Sequence, residues 1–394
     1  MEPIIKQRTG HHVGRRGLEI QIRAWGLVRI SRLPQWADED DPKSVAIGNS
    51  SSRHLIKDAS FSKVLNTCVQ LRDKARLRVA IINDEPTLPL AIVVHDSPGV
   101  SDMKESQKKF GFLAKRFRLL IYDLRGSGRS DDMGPFTHQR WLVDIEELSR
   151  WAGDYLHFTL VGDGYGGCIA LQYAIAYPKR LSALILHDTW VHGVHASMGN
   201  LKTVLTYQGK GPKPDVDRQL RLWSGFCVDE EDFAAAVSEI RHIYKPHITL
   251  ASRLLHHETH NFAYSMNMPY YDLRSWLRQI RTPTLAVANK ANVMNPVEAG
   301  IGFKTGIANA QLVICEDTEH ATARDTLQSA AWAFLANIAG PEPPPPPPPP
   351  PESAPANGMP KPSEQPRETI TIDDDDEEEE SSEQDESDSA SEDE

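Results

Sequence analysis

The stretch "FTLVGDGYGGCIALQYA", from Phe158 to Ala174, constrains this chain more than any other. A short apolar run leads into four glycines within six residues, and a helical pattern follows. A strand that turns this sharply into a helix needs glycine where backbones approach closely or φ becomes positive. Two chemistries use such a turn. Gly162, Gly164 and Gly167 spell GxGxxG, the loop that seats a dinucleotide pyrophosphate on a helix N-terminus. The same shape is a nucleophile elbow, G-x-S-x-G, with Gly164 where the serine would stand.

The surrounding pattern is regular from Leu88 onward. "LPLAIVVHDSPG" reads as a buried strand ending in a turn, "KESQKKFGFLAKRF" as a helix, and "RLLIYDLRGSGRSD" as a strand entering a glycine-rich turn. "RWLVDIEELSRWAG" carries helical spacing and "RLSALILHD" is another strand. Strands alternating with helices predict a mostly parallel sheet with helices on both faces. The alternation stops near residue 190. "EEDFAAAVSEIRHIY", "ITLASRLLHHETHNFAYSMN" and "YDLRSWLRQI" all read as helical, so 190–282 is predicted to be an inserted helical cap. "TPTLAVANKANVMNP", "AQLVICEDTEHA" and "TLQSAAWAFLANI" then resume the rhythm, giving a core of 86–189 and 283–340. Residues 1–85 hold two strand-like runs, "GLEIQIRAWG" and "ARLRVAIIN", around a polar insertion.

After Gly340 the character changes. Pro343 to Pro351 are nine consecutive prolines, and Asp373 to Glu394 hold 15 acidic and no basic residues. Neither part of 341–394 can bury a core, so the sequence predicts disorder there. The formal charge of −12 belongs to this tail; residues 1–372 carry a balance of +3. The globular part thus lacks the basic bias of a nucleic-acid or membrane-surface binder. Cys68, Cys168, Cys227 and Cys315 are scattered singly, which suggests neither a metal site nor a disulfide framework. The first residues lack the apolar core of a secretory signal, so the expected location is cytoplasmic or nuclear. In the tail, Ile370 and Ile372 alternate just before the acids, a pattern similar to a SUMO-interacting segment that adds a strand to a sheet edge. A basic protein is the other partner this tail suggests.

The ordered series of motifs resembles the α/β-hydrolase fold, and within it the proline iminopeptidase branch. "HDSPG" (His95–Gly99) resembles that branch's HGGPG oxyanion loop, "YDLRGSGRSD" its D-x-R-G-x-G-x-S signature, and "LVGDGYGG" its G-G-S-x-G-G elbow. The acid-bearing strand corresponds to "TPTLAVANKANVMNP" and the histidine segment to "EDTEHA". The resemblance spans about residues 86–338. It implies a serine–histidine–acid mechanism in which the serine position is Gly164, the acid Asn292 and the histidine His320. Two of those three groups are absent. Gly164 has no side chain. Asn292 can hold an imidazole but cannot stabilise an imidazolium, and an Asp-to-Asn change in a serine-protease triad costs about 10⁴ in rate. The oxyanion loop is altered too, with Asp96 and Ser97 between His95 and Pro98. A carboxylate at Asp96 opposes a developing oxyanion, whereas the N–H of Tyr165 still points where one would form.

Three readings follow. The first is an inactive hydrolase-fold protein that binds a small ligand under the cap or a protein partner through its tail. The second is an active ester or N-terminal peptide hydrolase with a non-standard nucleophile. The third is a dinucleotide-binding oxidoreductase, with Asp188 as the ribose-binding carboxylate. The first two need no cofactor. Asp163 sits one residue early on the turn, so its side chain is expected to point away, and Cys168 reads as a small buried hydrophobe. Asn292 is expected to hydrogen-bond His320. His256, His257 and His260 read as a polar helix face rather than a metal site.

Overall fold

The structure, a computed structural model, describes residues 54–55, 64–243, 255–290, 292, 297–316 and 320–339. The strand expected at "GLEIQIRAWG", the polyproline and acidic segments, and Ile370 and Ile372 lie outside the described residues.

Among the described residues nine strands form one sheet: β1 (His54–Leu55), β2 (Val64–Gln70), β3 (Arg76–Ile82), β4 (Leu90–Val94), β5 (Arg118–Tyr122), β6 (Phe158–Asp163), β7 (Leu181–His187), β8 (Thr284–Asn289) and β9 (Ala310–Cys315). Their spatial order is β1-β2-β3-β5-β4-β6-β7-β8-β9. The pairs from β5 to β9 are parallel, while β1, β2 and β3 add an antiparallel edge. β4 and β6 are buried along their whole length, and β4 is apolar on both faces, as a parallel strand covered on both sides is expected to be. Leu90, Ile92 and Val94 of β4 pack with α2 (His138–Trp151) and α3 (Tyr165–Ala176). Ala91 and Val93 point the other way, toward α1 (Met103–Phe110) and α9 (His320–Ala339).

The topology locates the site. From β4 the chain crosses to β5 on one side, then returns past β4 to β6 on the other. The crevice at the carboxyl ends of β4 and β6 is therefore a topological switch point, where open α/β sheets bind ligands. The loops that leave those two ends are His95–Gly99 and the turn at Gly164.

Between β7 and β8 the described residues form α4 (Gly193–Thr206), α5 (Val216–Ser224), α6 (Glu230–Ile240), α7 (His257–Phe262) and a π-helical turn, Ala263–Asn267. The only β pairing of this region among the described residues is an isolated bridge, His192 with Asp272. One expectation is corrected here. "YDLRSWLRQI" contains only a 3₁₀ turn, Leu277–Gln279, because Asp272 folds back on Arg274 and Leu273 accepts the turn's first bonds through its carbonyl. The sequence reading also passed over β2 and α8 (Val297–Gly306). β2 alternates weakly and is an edge-side strand, and α8 has three glycines that mask its periodicity. No helix of the described residues is long and apolar enough to cross a membrane.

Candidate active site

Gly164 is the N-cap of α3 at φ 50° and ψ −117°, a conformation that strains any side chain. The turn is tight because Gly166 lies against the end of β4: a Cβ there would be 2.5 Å from the His95 carbonyl oxygen. The turn therefore has the shape of a strand–elbow–helix turn with glycine at its tip.

The space in front of Gly164 is filled. Asp96 Oδ1 accepts the Tyr165 backbone N–H at 2.6 Å and its neighbour Ser97's N–H at 2.7 Å. A Cβ added to Gly164 would lie 2.6 Å from Asp96 Oδ2 and closer still to Oδ1 and Cγ. Asp96 thus does more than face the oxyanion position. Its carboxylate occupies both that position and the volume that any side chain on residue 164 would need. Burial and the nearby Asp163 carboxylate push the Asp96 carboxyl above its usual range, against the pull of the two N–H groups and Lys109.

The loop that presents Asp96 is held from three sides. His95 is fully buried; its Nδ1 is 2.6 Å from the Asp96 carbonyl oxygen, and its Nε2 accepts the Leu124 N–H at 2.9 Å. These partners assign the proton to Nδ1. Ser127 Oγ accepts the Gly99 N–H at 2.9 Å, and the Gly99 carbonyl accepts the His256 N–H at 2.9 Å. The "RGSGRSD" turn is fixed in its own right by Arg125, fully buried and forked onto Asp144 at 2.9 and 3.0 Å. Asp131 pairs with Arg76.

Asp163 points away from the elbow, as its place on the turn requires. Its Oδ2 meets Lys109 Nζ at 2.7 Å and its Oδ1 meets His187 Nδ1 at 2.7 Å. Burial pushes the Asp163 carboxyl up, but Lys109 and His187 outweigh it and hold it well below the usual range. Cys168 is fully buried with its Sγ near Thr189 Oγ1 and the Trp190 carbonyl, and burial pushes its thiol up to about 12. Such a thiol is not a nucleophile near neutral pH.

Asn292 sits beside Asp188. Asn292 Nδ2 donates to Asp188 Oδ2 at 3.0 Å, and Asp188 Oδ1 accepts the Asn289 N–H at 2.7 Å. These bonds tie Asn292 to a carboxylate at the end of the neighbouring strand. Asp188 has φ 47°, which turns its side chain back over the strand ends. His320 is the first residue of α9; its side chain lies outside the described ones. The cap histidines are spoken for separately. His256 Nε2 meets the Gly128 carbonyl at 3.1 Å, His257 pairs with Glu230 at 2.9 Å, and His260 Nε2 meets the Leu222 carbonyl at 3.0 Å. The described residues hold no cluster of three or more potential metal ligands. The N-terminus of α3, where a pyrophosphate would have to sit, is taken by the Asp96 carboxylate.

Sequence reasoning missed Lys109, His187 and the docking of Asn292 on Asp188. The signal was present at the end of β7, where the polar pair His187–Asp188 closes an otherwise apolar strand at the sheet's carboxyl edge. Tyr165 was read only for its N–H. Its buried ring also pins the elbow, with its hydroxyl 2.8 Å from His138 Nε2 and 3.3 Å from the Ala263 carbonyl of the cap.

Sheet order, strand–elbow–helix turn and facing oxyanion loop together define an α/β-hydrolase-fold protein whose elbow carries glycine. A family model described as the alpha/beta hydrolase fold matches residues 92–209. Proline iminopeptidase PfmaB of Pestalotiopsis fici is 27% identical over 240 residues, which are 59% of this chain and 85% of that protein. A 2-hydroxy-6-oxononadienedioate/2-hydroxy-6-oxononatrienedioate hydrolase of Pseudomonas putida is 24% identical over 245 residues, 58% of this chain and 80% of its own. Among solved structures, a proline iminopeptidase-related protein from Thermus thermophilus matches with a TM-score of 0.54 at 19% identity, over 70% of this chain and 98% of that one. The esterase of Exiguobacterium antarcticum matches at 0.52 and 21%, over 70% and 100%. This chain has the α/β-hydrolase fold and is similar to that fold's proline iminopeptidase branch.

Proposed function

We propose that this protein has lost serine-type ester and peptide hydrolysis, and that its elbow crevice binds a ligand without transferring an acyl group to serine. One observation carries the reading: the Asp96 carboxylate lies where both the nucleophile and the substrate's oxyanion would have to be. A fixed negative charge there repels the charge that an acyl-transfer transition state develops. The substitutions at Gly164 and Asn292 point the same way. The relatives are named as hydrolases, which supports descent from an active line and keeps a second reading, an active enzyme with a different nucleophile, in view.

The test is a fluorophosphonate probe read by intact mass. The wild type should stay unmodified, while Gly164→Ser combined with Asp96→Gly should gain an adduct. Stoichiometric labelling of the wild type would refute the proposal, and the modified residue would name the nucleophile.

A further inference from the structure

We propose that a second site, outside the elbow crevice, binds the phosphate group of a small hydroxylated phosphate monoester. It lies in a cavity of about 190 Å³ where three segments meet: β3, the turn after β5 and the start of α1. The cavity shares no lining residue with the Asp96–Gly164 pair, so it stands apart from the loss of serine chemistry. Three cations line it: Arg78, Lys104 and Arg129. Their charged groups form no ion pair or hydrogen bond among the described residues. Arg78 is half-buried, and its Nε is buried without an acceptor among those residues. A buried N–H without an acceptor is costly, so an oxygen carried in by a ligand is stabilised there. The backbone of Arg78 is fixed on both sides. Its N–H donates to Ser130 Oγ at 2.9 Å, and its carbonyl accepts the Asp123 N–H at 2.9 Å.

Two carboxylates in the same cavity define what the ligand carries besides phosphate. Asp123 is buried and commits both oxygens to backbone. Oδ1 accepts the Met103 N–H at 2.7 Å and Oδ2 the Arg129 N–H at 2.9 Å. It braces the turn and the start of α1. Asp102 caps α1 through Oδ1, which accepts the Lys104 N–H at 2.9 Å, while its Oδ2 accepts no hydrogen bond among the described residues. The cations outnumber the carboxylates, and a guanidinium forks onto phosphate oxygens. A phosphate monoester is close to a dianion at neutral pH and answers more of this charge than a single carboxylate does. A hydroxyl on the same ligand donates to Asp102 Oδ2, which a ligand without a donor would only meet as a repelling charge. The site therefore selects a phosphate with a hydroxyl nearby, the chemistry of a polyol or sugar phosphate.

The test is calorimetric titration of the full chain with glycerol 3-phosphate, propyl phosphate and inorganic phosphate at constant ionic strength. Glycerol 3-phosphate should bind saturably and more tightly than the other two. Arg78→Met and Arg129→Ser should each weaken it by roughly tenfold. Asp102→Asn keeps a capping oxygen but loses the second carboxylate oxygen, so the preference for glycerol 3-phosphate over propyl phosphate should disappear. The control is Arg278→Ser combined with Arg281→Ser, at another arginine-lined hollow just before β8, and it should bind as the wild type does. Absence of saturable binding overturns the proposal, as does binding that survives the loss of Arg78 and Arg129 together. Equal affinity for all three ligands, or weaker binding in the control, also overturns it, because a general anion-attracting surface behaves that way. If Arg78→Met does not fold, the exposed Arg129 decides: unchanged affinity in Arg129→Ser overturns the proposal.

Discussion

The carboxylate of Asp96 stands in the volume that any side chain on Gly164 would need, and it accepts the N–H of Tyr165, the residue that follows Gly164. Glycine at the elbow and aspartate in the oxyanion loop are therefore one structural unit. Either the turn carries a side chain or the loop carries a carboxylate at this point, not both.

That relationship predicts strong coupling. Gly164→Ala alone should cost about 2–4 kcal/mol, combining overpacking with a left-handed φ. In an Asp96→Gly background the same change should cost only the backbone strain. The cycle should show a coupling of about 1–3 kcal/mol in urea unfolding. Additive effects would mean that Asp96 does not occupy the elbow in solution.

An acid at position 292 should not be benign. Asn292→Asp replaces a donor 3.0 Å from Asp188 Oδ2 with a second carboxylate. Two carboxylates at that distance raise each other's affinity for a proton. The variant should be less stable than wild type at pH 7 by about 1–3 kcal/mol. The folded pair then binds protons more tightly than the unfolded chain, so the deficit should shrink as pH falls below about 5. Thermal melts at pH 7 and pH 4.5 decide it.

Lys109 holds the charge beneath the elbow. Lys109→Met leaves Asp163 buried with only His187 and should cost about 3 kcal/mol at neutral pH, the low end for a broken buried pair. The low end applies because the Lys109 side chain is 33% exposed. In the wild type the depressed Asp163 carboxyl contributes stability above the usual carboxylate range, lost as pH falls through its folded value. Removing Lys109 raises that value, so the variant's stability should fall less steeply on acidification. Denaturant midpoints from pH 6 to pH 3 would read this out.

His138 is buried between Gln172 and Tyr165, and burial lowers its pKa from 6.5 to about 3. The unfolded chain takes up this proton first as pH falls. Wild-type stability should therefore rise with pH between about 3 and 6.5. His138→Phe should lose on the order of 1–3 kcal/mol at pH 7 through orphaned partners, yet show a shallower slope across that window. An unchanged slope would place the titration elsewhere.

Among the cysteines, Cys68 is exposed whereas Cys168 is buried with its thiol pushed up to about 12. Iodoacetamide at pH 8 should modify Cys68 in the native protein and reach Cys168 only on unfolding. Native modification of Cys168 would return it to the list of candidate nucleophiles.

The fold was legible because its signals are local. Largely apolar runs such as Leu90–Val94 and Phe158–Val161 name buried parallel strands, and the glycines at the end of β6 name the sharp turn, from spacing alone. Elements without a sharp period escaped: β2 at the sheet's antiparallel side, glycine-rich α8, and the 3₁₀ turn at Leu277–Gln279, whose sequence imitates a helix. The site divides in the same way. That Gly164 cannot attack follows from its identity, and that Asp163 turns away follows from its place on the turn. Where Asp96 puts its carboxylate does not. Residues 96 and 164 are brought together only by the parallel pairing of β4 with β6 and by a loop locked through His95 and Ser127. Asn292 meets Asp188 across 104 residues in the same manner. A sequence determines which groups a chain can offer; distances between loops on adjacent strands depend on sheet register and backbone closure, which no local pattern encodes. So the glycine at 164 was written in the sequence, and only the tertiary structure decided that the Asp96 carboxylate lies against it.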